Sequence, residues 1–289
     1  MKVGFAVLVL LAVGASSTVA SQPQTKPAQL HLDVYTSSPN GFSVTSTFVY
    51  GDKELIVIDP QFLLSEARQL AGKIRATGRT LTTIYTTHAH PDHFFGVAAL
   101  KEQFPAARYV ALPQVVERIK TAWPARRTFW LPTYGNDLPS ETAILPEPIQ
   151  GPLMLEGNSL VITGEVMGDG PGNSFIHIPA LNAVVAGDIV FNNAHFSPPA
   201  DPAQLYATFD KIAALKPRIL VAGHQRQGSR NDPRAMDFMR QYIKDFTAFK
   251  ASSTSAEELK AKMLKKYPKL ALENLLDGAA GRAFPPKQE

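Results

Sequence analysis

The stretch Tyr85-Thr86-Thr87-His88-Ala89-His90-Pro91-Asp92-His93-Phe94 carries three of the seven histidines in this chain of 289 residues. The histidines follow the β-branched segment Thr82–Thr86, which predicts a strand. They precede Val97–Phe104, where the apolar spacing predicts a short helix. Side chains two residues apart in an extended chain point the same way, so His88 and His90 can share one cation.

The next residues of the stretch extend this predicted metal site. Pro91 turns the chain, so Asp92 and His93 at the start of the predicted helix would face a neighbouring position. The chain has no cysteine, so any metal must be held by imidazole and carboxylate groups. Ligands of this kind favour zinc, with iron and manganese as alternatives.

The composition is that of a folded protein with a large core. Hydrophobic residues make up 45% and charged residues 19% of the chain, which excludes a disordered or fibrous protein. The formal net charge of +4 is too small to indicate a nucleic-acid partner. Without cysteine, neither a disulfide framework nor a thiol nucleophile can form.

Strand-like and helical segments alternate along the chain. The predicted strands are 30–35, 42–50, 54–58, 82–86, 153–155, 160–166, 174–178, 183–186 and 218–222, and the predicted helices are 63–74, 97–104, 113–123, 202–215, 232–250 and 255–266. The Pro-rich, aromatic segment 124–152 is predicted to be a long ordered loop. This order favours two similar β/α halves whose sheets pack face to face with helices outside.

The motif His88-Ala89-His90-Pro91-Asp92-His93 resembles the H-x-H-x-D-H signature of the metallo-β-lactamase superfamily of metal-dependent hydrolases. The resemblance covers residues from about 30 to 226 and implies an α/β (α+β) fold, a four-layer αββα sandwich, here with a C-terminal helical extension. Three further positions match the family pattern. Asp59 would support the metal loop, Asp188 would bridge two metals, and His224 would bind the second metal.

One position departs from the commonest family pattern. Most members carry a third histidine of the first site in a G-H-T-P-G turn, whereas this chain has Asp169 before Gly170-Pro171-Gly172. A carboxylate can also bind zinc, so the resemblance implies one site of His88, His90 and Asp169. The resemblance implies a second site of Asp92, His93 and His224, with Asp188 between the two sites. The alternative is that Asp169 is only a turn residue.

The resemblance implies an enzyme, a metallo-hydrolase with two metal ions, most simply zinc. A metal-bound hydroxide would cleave a small-molecule ester, lactone, lactam or related bond, with Asp92 orienting the hydroxide or receiving its proton. No Gly-x-Ser-x-Gly motif offers a serine nucleophile instead. Two alternatives stay open: an iron-dependent sulfur dioxygenase of the persulfide type on the same ligands, and a metal-binding module without turnover.

Several other residues are candidates for the substrate pocket. Trp130, Tyr134 and Phe129 could form an apolar wall, or could simply pack the 124–152 segment onto the protein. His195 follows Asp188 by seven residues and could line the pocket or lie on a surface loop. The adjacent Arg126 and Arg127 could attract an anion or be solvated. His177 is interpreted as structural, and His31 is given no role.

The amino terminus has the layout of a secretory signal peptide. Lys2 precedes an apolar or small-residue run from Val3 to Ala15, which is too short to span a bilayer, and Ala20 suits cleavage. We predict a signal peptide at 1–20, a flexible lead-in at 21–29 and one domain at 30–289, with the helical extension at about 232–289. An uncleaved anchor is the alternative. The prediction is a periplasmic or secreted protein with a small-molecule substrate, no nucleic-acid partner and no stable membrane anchor after cleavage.

Overall fold

The computed structural model describes Met1 and residues 26–285. The predicted signal peptide and residues 21–25 of the predicted lead-in lie outside the described residues, apart from Met1. Residues 26–29 are not a free lead-in, because the Ala28 amide donates to the Glu156 carbonyl (3.1 Å) and the Asn158 side chain donates to the Ala28 carbonyl (3.0 Å).

The first sheet has six strands in sequential order. They are β1 (His31–Thr36), β2 (Thr45–Tyr50), β3 (Glu54–Ile58), β4 (Thr80–Tyr85), β5 (Arg108–Ala111) and β6 (Glu147–Pro148). The first two pairings are antiparallel and the last three are parallel. The strand β5 and the short β6 were absent from the sequence prediction.

The second sheet has five strands in the order β12-β10-β9-β8-β7. Their bounds are β7 (Leu153–Leu155), β8 (Asn158–Met167), β9 (Pro171–Ile178), β10 (Ala183–Val185) and β12 (Ile219–Val221). A separate parallel pair joins β11 (Phe191–Asn192) to β13 (His224–Gln225). Within the five-stranded sheet, the β10–β12 pairing is parallel and the other three pairings are antiparallel.

Because side chains point alternately to the two faces of a strand, each sheet packs against the other sheet on one face and against helices on the opposite face. In β3, Ile56 and Ile58 pack against the second sheet, while Leu55 and Val57 face the helices on the outer side. The helices are α1 (Leu64–Ala76), α2 (Val97–Gln103), α3 (Pro113–Tyr134), α4 (Ala203–Ala214), α5 (Arg234–Ala251), α6 (Ala256–Lys266) and α7 (Glu273–Ala283). The predicted four-layer αββα arrangement is therefore confirmed, with α1 and α2 outside one sheet and α4 to α7 outside the other.

The segment 124–134 is helical, so the prediction of a loop from 124 to 152 is wrong for this part. Helix α3 continues through Pro124 and Pro132, although proline removes a backbone donor and normally ends a helix. The carbonyls left without a helical partner belong to Lys120 and Thr128, which are both exposed, so water can satisfy them. Aromatic packing on one face of the helix outweighs this cost, as the ring contacts described below indicate.

The loops that follow the parallel strands meet at one edge of the sandwich. Asp59 follows β3, the stretch 86–93 follows β4, Asp188 follows β10 and His224 follows β12. The β8–β9 turn adds Asp169. Carboxyl ends of parallel strands are the usual place for a site in such folds, because loops there can converge without disturbing the core.

Among the described residues, no helix is both long and apolar enough to cross a bilayer.

Candidate metal centre

Asp59 binds the histidine-rich loop through hydrogen bonds to Thr87 and His93. Its side chain is buried, and its two carboxylate oxygens accept hydrogen bonds from the Thr87 amide and the Thr87 hydroxyl, both at 2.8 Å. The Nδ1 atom of His93 lies 2.9 Å from the same carboxylate. Asp59 also has a positive φ of 60°, which Asp and Asn adopt more readily than most residues. The support role predicted for Asp59 therefore has a direct geometric basis.

Three of the four site histidines have Nδ1 held by the protein. In His93 it contacts Asp59, in His88 it lies 3.0 Å from the Thr87 hydroxyl, and in His224 it lies 2.7 Å from the Phe42 carbonyl. For His93 and His224 the acceptor fixes a proton on Nδ1. In the neutral form of each imidazole the lone pair therefore lies on Nε2, which faces the site. Partners of this kind orient metal-binding imidazoles in known metalloproteins.

The first cluster combines His88, His90, Asp169 and Asp188. The distance from His88 Nε2 to Asp188 Oδ2 is 3.4 Å, and His90 Nδ1 lies 3.0 Å from Asp169 Oδ2 and 3.8 Å from Asp188 Oδ2. Asn173 donates to Asp169 Oδ1 at 3.3 Å. The turn that carries Asp169 is also bound by the Arg118 guanidinium, which donates to the Pro171 carbonyl.

The second cluster combines Asp92, His93, Asp188 and His224. The distances to Asp188 Oδ1 are 2.9 Å from His93 Nε2 and 3.2 Å from His224 Nε2. Asp92 Oδ2 lies 3.3 Å from His224 Nε2, and the Nε2 atoms of His93 and His224 are 3.4 Å apart. Asp188 Oδ2 therefore faces His88 and His90 of the first cluster and Oδ1 faces His93 of the second, while His224 Nε2 lies 3.2 Å from Oδ1 and 3.3 Å from Oδ2. The Asp188 carboxylate is thus shared by the two clusters.

The spacing of these donor atoms fits metal ions. Four donors at 2.0–2.1 Å from one tetrahedral ion would lie about 3.3–3.4 Å from one another. The donors within each cluster are 2.9–3.8 Å apart in the pairs described. Two of them, His88 Nε2 and Asp188 Oδ1, are buried without a hydrogen bond of acceptable geometry. Unpartnered buried polar atoms are costly, and a cation between the donors would remove that cost.

Two glycines allow the loops to approach this closely. A Cβ on Gly223 would lie 2.3 Å from Asp188 Oδ1, and one on Gly187 would lie 2.7 Å from the Thr87 hydroxyl. Gly187 also has a positive φ of 51°. A side chain at position 223 would displace Asp188, and one at position 187 would displace Thr87, which binds Asp59.

The imidazoles and carboxylates of the site shift one another's pKa values. Burial alone would lower the pKa of His90 and His224, but the surrounding carboxylates outweigh it and raise both pKa values to about 10. Burial would likewise raise the pKa of Asp188, yet the imidazoles of His224, His93 and His88 hold it well below its usual range. Cations entering the site would have to displace protons from the imidazoles.

A cavity of about 680 Å³ opens above both clusters. Trp130 and Phe129 of α3 line it together with Phe42 and Phe62. Tyr134 lies behind this wall, because its ring packs on Phe62 at 5.0 Å and its hydroxyl donates to the Asn40 carbonyl. Tyr134 therefore supports the wall and is not among the residues that line the cavity.

His195 does not line the cavity, so that prediction is wrong. It is buried in the core below the C-terminal helices, with Nδ1 2.9 Å from the Tyr242 hydroxyl and its amide donating to the Ala271 carbonyl. Burial lowers the pKa of His195 to about 4, so the side chain is neutral at physiological pH. The loop after Asp188 turns inward at this point and does not run along the surface.

Sequence reasoning missed four contributors to the site: Thr87, the Phe42 carbonyl, Asn173 and helix α7, which lines the cavity with Asn274, Leu275, Gly278 and Arg282. Thr87 could have been found, since it directly precedes the first histidine. The other three depend on contacts between distant parts of the chain, and no local pattern marks them.

The fold and the paired imidazole–carboxylate clusters define a metal-dependent hydrolase. The chain belongs to the metallo-beta-lactamase superfamily, whose model matches residues 39–224. This match includes every residue of both clusters.

Individual relatives are distant. A hydroxyacylglutathione hydrolase from Jannaschia sp. (strain CCS1) is 29% identical over 168 residues, which are 57% of this chain and 56% of the relative. The chain thus matches little more than half of that relative's length. A beta-lactamase domain protein from Burkholderia ambifaria is 15% identical with a TM-score of 0.59 over 88% of this chain and 90% of its own. A metallo-beta-lactamase family protein from Thermus thermophilus is 19% identical with a TM-score of 0.56 over 88% and 93%. At these identities the two structures show the fold alone.

Proposed function

We propose that this protein is a two-metal hydrolase that cleaves ester-like bonds of small molecules. The observation that carries the proposal is Asp188, which belongs to both four-residue clusters and whose carboxylate lies 3.4 Å from His88 Nε2 of the first and 2.9 and 3.2 Å from His93 and His224 Nε2 of the second. In this proposal His88, His90 and Asp169 hold one ion, Asp92, His93 and His224 hold the other, and Asp188 bridges them. Zinc is the ion that these ligands favour.

When bound, the two ions would supply hydroxide at neutral pH and polarise the scissile bond. The protein's own residues would arrange the reaction around them. Asp92 borders both the second cluster and the cavity, so its carboxylate can orient the attacking water and accept its proton. The aromatic wall would hold the acyl or leaving group and limit access of bulk water.

The bond most in keeping with the available relatives is a carboxylic ester or thioester. The Jannaschia relative is named as a hydroxyacylglutathione hydrolase, which supports a thioester among the candidates. The similarity spans only part of that protein, so the glutathione portion of such a substrate is not carried over. Lactones and lactams present the same carbonyl chemistry and belong in the same screen.

The test is a substrate screen on protein reconstituted with zinc. Ester, thioester, lactone and lactam substrates would be incubated with the loaded protein, with the chelated protein, and with the Asp92→Asn variant. We expect hydrolysis of at least one class, loss of it after chelation with recovery on zinc addition, and a drop in kcat of at least about a hundredfold in Asp92→Asn. One bound iron per chain with oxygen uptake on a persulfide would contradict the proposal.

We also propose that the protein acts outside the cytoplasm, because the segment 1–20 has the layout of a signal peptide. Expression of the full chain in a Gram-negative host, followed by fractionation and mass measurement, tests this. The expected product is a periplasmic chain that begins at Ser21. A cytoplasmic chain that retains Met1 to Ala20 would contradict it.

A further inference from the structure

Apart from the residues of the two clusters, the charged residues that line the cavity above them are all basic. Within residues 26–285, the acidic residues that line it are Asp92, Asp169 and Asp188, which all belong to the clusters. The other charged lining residues are two arginines, Arg126 of α3 and Arg282 of α7. The two helices that border the cavity therefore each contribute one guanidinium.

The adjacent arginines of α3 have different surroundings. Arg127 turns away from the cavity, because its Nε donates to the Pro139 carbonyl at 2.9 Å and its guanidinium lies 4.0 Å from Glu141. Arg126 lines the cavity and, among the described residues, has no carboxylate within 4.0 Å. The sequence could not separate these two residues, but their contacts do.

Arg282 is held at the cavity by its own helix and a neighbouring loop. Its guanidinium donates to the Ser197 hydroxyl at 2.7 Å and crosses Gly278, where a Cβ would lie only 3.2 Å from it. Helical side chains lean toward the preceding turn, and glycine four residues earlier leaves room for the arginine there. The acidic residues Glu273 and Asp277 of the same helix do not neutralise Arg282, because both pair with Lys260 of α6.

The same cavity has a substantial apolar surface. Phe42, Phe129 and Trp130 lie on one side, and Leu275 of α7 also lines it. Phe129 is 67% exposed, so much of its ring is open to contact with a bound molecule. An apolar group would be desolvated here, close to two guanidinium groups that have no carboxylate partner in the part of the chain that the structure describes.

We propose that Arg126 and Arg282 bind a carboxylate of the substrate, so that the preferred substrate is an ester or thioester carrying both an apolar group and a free carboxylate. This rests on the proposed hydrolase function and names the substrate class of that site. Arginine suits a carboxylate because its planar fork can donate two parallel hydrogen bonds. Arg126 lies inside the region that the family model matches and Arg282 lies outside it, so the C-terminal part of this chain would supply one of the two guanidinium groups.

Two matched esters measure the preference. 4-Nitrophenyl butyrate and the mono-4-nitrophenyl ester of glutaric acid have the same leaving group, and only the second carries a carboxylate. The quantity to compare is the ratio of their kcat/KM values in the zinc-loaded wild type, Arg126→Gln, Arg282→Gln and Arg127→Gln. Each cavity arginine contributes a charge-assisted hydrogen bond, so Arg126→Gln and Arg282→Gln should each lower the ratio about tenfold. Arg127→Gln removes the same charge one residue away and should leave the ratio unchanged.

A binding measurement separates this proposal from the hydrolase proposal. Trp123 and Trp130 are the only tryptophans, and only Trp130 lines the cavity, so Trp123→Phe gives a protein whose fluorescence reports on that wall. Titration with 4-phenylbutyrate should quench this fluorescence, with a Kd about tenfold higher when Arg126→Gln or Arg282→Gln is added. Loss of hydrolysis with this binding pattern intact would overturn only the hydrolase proposal. An ester ratio and a Kd that are unaffected by both cavity variants, or no binding at all, would overturn the carboxylate proposal.

Discussion

At the scale of single residues, the site depends on groups that fix imidazoles as much as on the imidazoles themselves. The histidine motif marked His88, His90 and His93 in the sequence because the spacing of ligands along one loop is a local property. The partner that fixes the proton of His224 is the backbone carbonyl of Phe42, far away in the chain. No sequence pattern identifies a carbonyl, so this part of the site could not have been predicted.

Asp59→Asn tests whether Asp59 orients His93. Asn tolerates the positive φ and can still accept the Thr87 amide, but its NH₂ group would face His93 Nδ1. His93 would then carry its proton on Nε2 and could no longer offer a lone pair to the second cluster. We expect metal affinity at that cluster to fall about tenfold to a hundredfold, with the fold retained, as measured by chelator competition and circular dichroism. Unchanged metal affinity would show that Asp59 only supports the loop.

Asp169→Ala tests the carboxylate that stands where most relatives have histidine. Asp169 Oδ2 lies 3.0 Å from His90 Nδ1, so its removal should weaken the first cluster selectively. We expect the bound metal to fall from two ions per chain toward one, measured by elemental analysis after dialysis. Asp169→His should restore the second ion, and Asp237→Ala, an exposed acid on α5, should not change the count. Two ions retained in Asp169→Ala would make Asp169 a turn residue.

At the scale of elements, most strands and helices follow from local sequence patterns. Strand β3 is a short continuous apolar run, and α1 repeats its apolar residues at helical spacing. Helix α3 is the main exception. Its prolines indicated a loop, but two tryptophans on one face of the helix pack against phenylalanines. The ring centroids of Trp123 and Phe95 are 4.9 Å apart, and those of Trp130 and Phe62 are 5.6 Å apart. Local propensity was thus outweighed by tertiary contacts that the sequence does not reveal.

Trp123→Ala tests this explanation of α3. Trp123 is buried, and its removal should lower the free energy of unfolding by about 3–5 kcal/mol. Phe129→Ala, on the exposed side of the same helix, should change it by less than about 0.5 kcal/mol. Urea unfolding followed by circular dichroism measures both. Similar small effects of the two substitutions would mean that packing does not hold this helix in place.

The C-terminal helices give a pH-dependent stability through His195. Its pKa is lowered to about 4 by burial, while the nearby charges of Glu273 and Asp277 partly oppose this and Lys260 adds to it. The unfolded chain would bind the proton at about pH 6.5, so the folded protein loses stability as pH falls from 6.5 to 4.

The expected size of this loss is about 3 kcal/mol, from the difference between the two pKa values. His195→Gln keeps a polar group near Tyr242 but has no proton to gain, so its stability should fall less over the same range. Unfolding free energies of both proteins at pH 6.5, 5.2 and 4 give the comparison. Parallel curves for the two proteins would contradict the assignment.

At the scale of the whole molecule, the αββα sandwich brings four loops from two sheets to one edge, where Asp188 joins their side chains into two clusters. The fold class and the seven residues of these clusters follow from short motifs, because six of the residues match the family pattern in order along the chain and Asp169 stands where most members have histidine. The boundary of the cavity does not follow, since α7 reaches it from beyond the matched region. Long-range packing of the C-terminal helices determines that boundary.

The central claim is that Asp188 bridges two metal ions, and the metal-to-chain ratio tests it most directly. Elemental analysis of zinc-reconstituted, dialysed protein should give two ions per chain in the wild type. In Asp188→Asn, which keeps the shape of the side chain but removes the charge shared by both clusters, the ratio should fall to one or less. A ratio of one in the wild type, or of two in Asp188→Asn, would contradict the account.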